Sequence, residues 1–215
     1  MPVRKIPKNY RSITGVHASD KSIGDAQFES TLERDFLTLL EFHPDVDRYE
    51  VQPSAIQWED ANGKRRKHTP DVLVLFKPHL NLTPWLCEVK YRFDIFEKWS
   101  EYKPKFKAGI QFAKKVGWRY RLITEVEVRT PYLNNCRFLT GFKFQKHPAK
   151  DLRLLLERLE HIGQSSPLEL LTSINRDREA QAHLMPVLWH LIATNQIDAD
   201  LYQELTMKSV IWSKH

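Results

Sequence analysis

Three charged residues stand inside runs that are otherwise apolar. Asp71 opens the run Asp71-Val-Leu-Val-Leu-Phe76, directly after Thr69-Pro70. Glu88-Val89-Lys90 closes a second run that begins Trp85-Leu86-Cys87. Both runs read as strands, and the first is apolar enough to be buried on both faces. Glu88 and Lys90 lie two apart, so on a strand they share a face. Burying a carboxylate and an ammonium is costly unless each meets a partner or a metal. Asp71, separated from Glu88 by sixteen residues, starts the neighbouring strand and can reach the same point. Two carboxylates converging there repel each other, and a divalent cation relieves that repulsion. Mg²⁺, with Mn²⁺ as a substitute, suits such oxygen ligands. It would polarise a scissile phosphate and help generate hydroxide from bound water. Beside two carboxylates Lys90 should stay protonated, which favours charge stabilisation at the phosphate over abstraction of a proton from water. A PD…ExK pattern this short also arises in ordinary ion pairs. Its weight comes from falling on adjacent strands behind an acidic helix, and the chemistry it suggests is metal-dependent cleavage of a phosphodiester.

The elements that must position these groups follow from apolar spacing. Phe28, Leu32, Phe36, Leu39 and Leu40 predict a helix from Asp25 to about Phe42, ended by Pro44. Glu33 lies at the edge of its buried face and can turn toward a sheet beneath. Glu29, four residues earlier, shares that edge as a weaker candidate. A strand is expected over Arg48–Trp58, interrupted by Pro53, then a hairpin turn at Asn62-Gly63. Trp85–Tyr91 and Arg119–Val128 read as further strands, Leu139–Phe144 as one more, and Lys98–Val116 as a helix containing Pro104. After His147-Pro148 the composition changes. Residues 149–162 form a leucine-rich amphipathic helix, Ser166-Pro167 caps a second, and a third runs from about Arg178 to Thr194. Two short strands follow within Ile197–Trp212. Three helices followed by a hairpin is the winged-helix pattern. The fold class expected is therefore α/β with a small helical domain after it: a basic arm over 1–24 that orders on a partner, a nuclease domain over 25–147, and a winged-helix-like domain over 148–215.

Bulk properties are compatible with a polyanionic partner. The 215 residues carry a net charge of +6 and 41% hydrophobic residues, enough for a real core. Residues 148–215 hold 7 Lys/Arg against 9 Asp/Glu, so the first 147 residues carry +8. DNA is the natural polyanion, and its candidate contacts are Lys64, Arg65, Arg66 and Lys67 after the turn, with Lys103, Lys105 and Lys107 on the helix. The alternative for both groups is a solvated charged surface. The acidic balance of 148–215 suits a protein contact better than a phosphate contact. Cys87 and Cys136 are not spaced as a zinc or disulfide framework. The histidines show no ligand spacing. No secretory signal or membrane span is expected, which fits a cytoplasmic protein.

Taken in order, Phe28-Glu-Ser-Thr-Leu-Glu33-Arg-Asp-Phe-Leu37, Tyr49-Glu-Val-Gln-Pro53, His68-Thr-Pro-Asp71, Glu88-Val-Lys90 and Ile123-Thr-Glu125 resemble the TnsA endonuclease family, subunits of heteromeric bacterial transposases. The short length is similar to members from CRISPR-associated transposons. The resemblance is specific over about 25–147 and looser beyond, where the family carries a winged-helix domain. It implies a restriction-endonuclease-like PD-(D/E)xK core, with a mixed sheet flanked by helices, that cuts transposon 5′ ends in the bacterial cytoplasm. It implies an integrase-type partner, TnsB, that cuts and joins the 3′ ends, and an ATPase regulator, TnsC, contacted through the C-terminal region. It matches the family's catalytic glutamate, aspartate and lysine to Glu33, Asp71 and Lys90; with Glu88 from the reading of the strands these make the expected catalytic set, in which Glu33, Asp71 and Glu88 bind the metal. Where this chain has Glu88, the best-known member has glutamine. Two rivals stand beside this reading. A stand-alone restriction or repair nuclease would share the site and cut without a partner. A non-enzymatic DNA-bridging adaptor would have no reason to keep buried charges.

Overall fold

A computed structural model of the chain describes residues 13–60 and 63–214. The chain divides into two compact units, Met1–Val128 and Arg129–His215.

In the first unit β1 (Gly15–Val16) pairs antiparallel with β2 (Gln27–Phe28). Helix α1 (Thr31–Phe42) follows, with Ser30 as its N-cap. The helix starts six residues later than the apolar spacing suggests. The Ser30 hydroxyl takes the first free amide, from Glu33, and the extended segment before it is used in β2 instead. Strand β3 (Val46–Val51) comes next, then the hairpin β4 (Ile56–Glu59) and β5 (Arg65–His68). The strand expected over 48–58 is thus two strands. Gln52 adopts left-handed backbone, with φ of 47°, and Pro53 cannot donate to a ladder. Strands β6 (Val72–Phe76) and β7 (Trp85–Val89) complete the sheet core. Helices α2 (Arg92–Glu97) and α3 (Trp99–Lys115) lead to β8 (Arg119–Ile123) and the short α4 (Glu125–Val128). The expected strand 119–128 stops at Ile123. Thr124 and Glu127 close a Ser/Thr-x-x-Glu cap, with the Glu127 carboxylate accepting from the Thr124 amide at 2.9 Å.

The main sheet runs β3-β6-β7-β8 and is mixed: the first three strands are antiparallel, while β7 and β8 are parallel. Alternate residues on one face, Leu73 and Leu86, pack with Ile56, Ala108, Ala113 and Tyr120, so α3 and the β4–β5 hairpin cover that face. Gly109 is required there, because a Cβ would collide with the Tyr120 ring. Val72, Val74, Cys87 and Val89 point the other way and are also buried, and α1 packs against β3 and β7. Apart from Glu88, these central strands are apolar because both faces are covered.

Residues 13–24, expected to be an arm awaiting a partner, are packed onto this unit. Ser19 Oγ donates to Glu41 Oε2 at 2.6 Å, and Lys21 Nζ donates to the carbonyls of Leu40 and His43 at 3.3 and 2.7 Å. Lys21 thereby satisfies carbonyls left over at the C-terminal end of α1. The rest of the expected arm, residues 1–12, lies outside the described residues.

The second unit begins with α5 (Pro131–Lys143). This helix replaces the strand expected at 139–144. Leu133, Cys136 and Leu139 are all buried at three-residue spacing, and Pro131 occupies a first-turn position where its missing N–H costs nothing. It packs against α8, so the unit boundary falls at 128/129 and not at 147/148. With that boundary, residues 129–215 hold 11 Lys/Arg against 9 Asp/Glu, a net of +2, and the apparent acidity of the C-terminal part disappears. Helix α6 (Ala149–Ile162), β9 (Gln164–Ser165), α7 (Pro167–Ile174), α8 (Arg178–Ala193), β10 (Ile197–Ala199) and β11 (Ile211–Ser213) complete it. The Ser166–Glu169 capping box opens α7 and β10 pairs antiparallel with β11, as expected, but β9 between α6 and α7 adds a third strand to that sheet. Among the described residues no helix is long and apolar enough to cross a membrane.

Candidate active site

Asp71 immediately precedes β6, and its amide donates to the Cys87 carbonyl at 3.1 Å, which brings its side chain beside Glu88. Two further contacts hold this corner. Gln52 donates its amide to the Asp71 carbonyl at 2.8 Å, and its side chain reaches Glu29 Oε1 at 3.1 Å. The uncommon backbone of Gln52 is thus fixed by its hydrogen bonds to Asp71 and Glu29.

Lys90 Nζ lies among oxygens. It is 2.9 Å from Asp71 Oδ2, 3.1 Å from Glu88 Oε1 and 3.0 Å from the Val89 carbonyl. Asp71 Oδ2 also accepts the Val89 amide at 2.7 Å, so both of its hydrogen bonds fall on one oxygen and Oδ1 is left for another partner. Glu88 is only 1% exposed. Its Oε2 faces His68 Nε2 at 2.7 Å. An ionised carboxylate can only accept, so Nε2 carries the proton of that bond.

The electrostatics follow from this crowding. Burial and the Glu88 charge push the Asp71 carboxyl up to about 7, against the opposing pull of Lys90 and the Val89 amide. Burial alone would raise Glu88, but the His68 hydrogen bond and the Lys90 charge hold it below the usual carboxylate range. Burial alone would lower Lys90, yet Asp71 and Glu88 raise it, and the ammonium stays charged. One cation between two carboxylates leaves the pair short of neutral balance, which is the condition that favours a second positive charge.

Glu33 is placed differently from the expectation. Its Oε1 accepts from Ser30 Oγ at 3.0 Å and its Oε2 from the Glu29 amide at 2.8 Å, so the carboxylate folds back over the start of α1. Among the described residues no three His, Cys, Asp or Glu side chains are arranged to hold a metal ion. The structure does not gather Glu33, Asp71 and Glu88 into one ligand set, because the helix start competes for the Glu33 carboxylate. Glu33 nonetheless lines a cleft of about 240 Å³ with Lys90, Tyr91, Glu29 and Lys98. Its charge also contributes to the rise of Asp71. Thr31 Oγ1 and Tyr91 Oη, 2.9 Å apart, tie the first turn of α1 to the residue after Lys90. The donors that do converge are two carboxylates and a main-chain carbonyl, a hard-oxygen set suited to Mg²⁺ or Mn²⁺.

The basic residues separate into groups. Lys64, Arg65, Arg66 and Lys67 are all exposed on the hairpin, but Arg66 is engaged by Asp60 at 2.8 Å. Lys103 and Lys107 lie one helical turn apart and line a groove with Trp58 and Asp60. Lys105 points elsewhere, pairing with Glu101 at 2.6 Å. His68 is the site residue that residue spacing did not single out. The available signal was its position at the end of a short strand, three residues before Asp71.

Two family models match the chain: TnsA-like endonuclease N terminal over residues 43–125, and TnsA endonuclease C terminal over residues 127–201. The chain belongs to the TnsA endonuclease family. It is an endonuclease subunit of a transposase, and its mixed sheet flanked by helices is the fold consistent with that family. The junction of the two matches, at 125/127, falls beside the structural boundary at 128/129. Asp71, Glu88, Lys90 and His68 lie within the TnsA-like N-terminal match, whereas α1 and Glu33 precede it. No curated protein matches the chain.

Proposed function

We propose that this TnsA-type subunit hydrolyses phosphodiester bonds at the 5′ ends of a transposon in a Mg²⁺-dependent reaction, with Mn²⁺ able to substitute, in the bacterial cytoplasm. The observation that carries the reading is the convergence of Asp71, Glu88 and the Val89 carbonyl on the Lys90 ammonium. When bound there, the cation supplies a polarised phosphate oxygen and a more acidic water. Asp71 and Glu88 would hold it through oxygens on a rigid sheet. Lys90, kept protonated by its neighbours, stabilises the charge that builds on the phosphate oxygens. Glu33, in the same cleft, is placed to orient the attacking water or to join the ligands once its carboxylate leaves the α1 cap.

Recognition of the DNA ends falls to a partner on this reading. Residues 1–128 carry 22 Lys/Arg against 18 Asp/Glu, a net of only +4, which predicts weak, salt-sensitive DNA contact through Arg65, Lys67, Lys103 and Lys107. An integrase-type transposase, TnsB, would raise the local concentration of DNA at the site by tethering. The ATPase regulator TnsC would dock on the C-terminal unit. The test is a gel assay of end-labelled transposon DNA with this subunit alone and with both partners. Strand-specific 5′ cleavage only in the complete mixture is expected. Efficient sequence-specific double-strand cutting by the lone protein would support a stand-alone nuclease instead.

A further inference from the structure

Glu88 is held at its two carboxylate oxygens by different partners. Oε1 faces the Lys90 ammonium, where Asp71 Oδ2 and the Val89 carbonyl also converge. Oε2 is taken by His68 Nε2 at 2.7 Å. A carboxylate at the end of three rotatable bonds has a broad terminal torsion and does not hold one orientation unaided. His68, in contrast, is fixed from outside the main sheet. It ends β5 opposite Ile56, and Ile56 is 3% exposed in the core that joins the hairpin to α3.

We propose that His68 is a positioning residue that anchors Glu88 through Oε2, presents Oε1 alone to the divalent cation, and so sets the metal affinity of the site. The proposal rests on the metal-nuclease reading given above. In this role His68 acts through Glu88 and not as a ligand of the cation. Outer-shell groups that orient a ligating side chain are typically worth about 10- to 100-fold in metal affinity.

Full-length protein is titrated with Mn²⁺ alone by calorimetry, without DNA, so the readout is independent of cleavage. The variants are His68→Leu, which fills the space but cannot donate, His68→Gln, whose amide can donate to Oε2, and Asp71→Ala as the control for the site. Circular dichroism establishes that each is folded. The expected result is Mn²⁺ binding weakened about 10- to 100-fold by His68→Leu, largely restored in His68→Gln, and lost in Asp71→Ala. Equal Mn²⁺ affinity in wild type and His68→Leu overturns the positioning role while leaving the metal site intact. If His68→Leu is unfolded, His68→Gln decides: binding 10-fold or more below wild type overturns the proposal. Mn²⁺ binding that Asp71→Ala does not weaken overturns the metal reading itself, and this inference with it.

Discussion

Replacing Asp71 by Asn should stabilise the metal-free protein at neutral pH while destroying its activity. Burial and the Glu88 charge raise the Asp71 carboxyl from its ordinary 3.8 to about 7. Between those values the folded chain holds a proton that the unfolded chain has released. Wild-type stability therefore falls as pH rises from about 4 to about 7. An amide escapes that loss because it cannot ionise. A difference of about three pH units corresponds to about 4 kcal/mol at most, at ~1.4 kcal/mol each. Asp71 keeps 18% of its side chain exposed and shares its titration with Glu88, so about half of that, ~2 kcal/mol, is the expected gain. In melting temperature this is a rise of about 4–8 °C for the first unit at pH 7.5 in EDTA. At pH 5 the gain should shrink to about a third, and near pH 4 it should vanish. Thermal unfolding of wild type and Asp71→Asn at these pH values, followed by fluorescence, measures it. A melting temperature lowered at pH 7.5, or a gain that does not change between pH 5 and 7.5, would refute the reasoning that two carboxylates are crowded here.

Other outcomes follow from the same structure. Lys90→Ala should reduce cleavage by about 10²–10³ in the complete transposase mixture while calorimetric Mn²⁺ affinity is retained or raised, because the ammonium occupies the point where the oxygens converge. Arg65→Ala with Lys67→Ala, or Lys103→Ala with Lys107→Ala, should weaken DNA binding and flatten its salt dependence in a filter or anisotropy assay, whereas Arg66→Ala, whose guanidinium is held by Asp60, should change it least. A fragment ending at Val128 should be monomeric by size exclusion, whereas one ending at His147 should aggregate, since it exposes Leu133, Cys136 and Leu139 without α8. Gly109→Ala should destabilise the protein by about 1–3 kcal/mol in urea, because the added methyl meets the Tyr120 ring.

Asp71, Glu88 and Lys90 were legible in the sequence because each breaks an apolar strand, and charge in a buried strand is rare without a purpose. The strands themselves were legible for the same reason, since β6 and β7 are apolar on both faces. Glu33 was legible as a member of the cleft but not as a side chain occupied by its own helix start, because a cap depends on local rotamers that periodicity does not encode. His68 was hidden for a different reason. Its role depends on the register of β4 with β5, a pairing between residues twelve apart, and its place three residues before Asp71 was the one local sign of it. The boundary expected at 147/148 rested on the change of composition after His147-Pro148, and the strand expected at 139–144 lay on its wrong side. The longer spacing Leu133, Cys136, Leu139 belongs to a helix, and accepting it would have moved the boundary and removed the supposed acidity of the C-terminal part.

The β4–β5 hairpin separates what can vary from what cannot. At its base His68 sits opposite Ile56, and near its tip Arg65 sits opposite Glu59. Side chains alternate along β5, so inserting one residue within it would carry Lys67 into the place of His68 and turn the imidazole outward. Added residues beyond the Glu59–Arg65 pair leave that register untouched. The tip can therefore lengthen, shorten or trade its charges from one lineage to the next while the chemistry beneath it stays the same. Change in this hairpin has an open route through the loop, and a closed one through the strand that follows it.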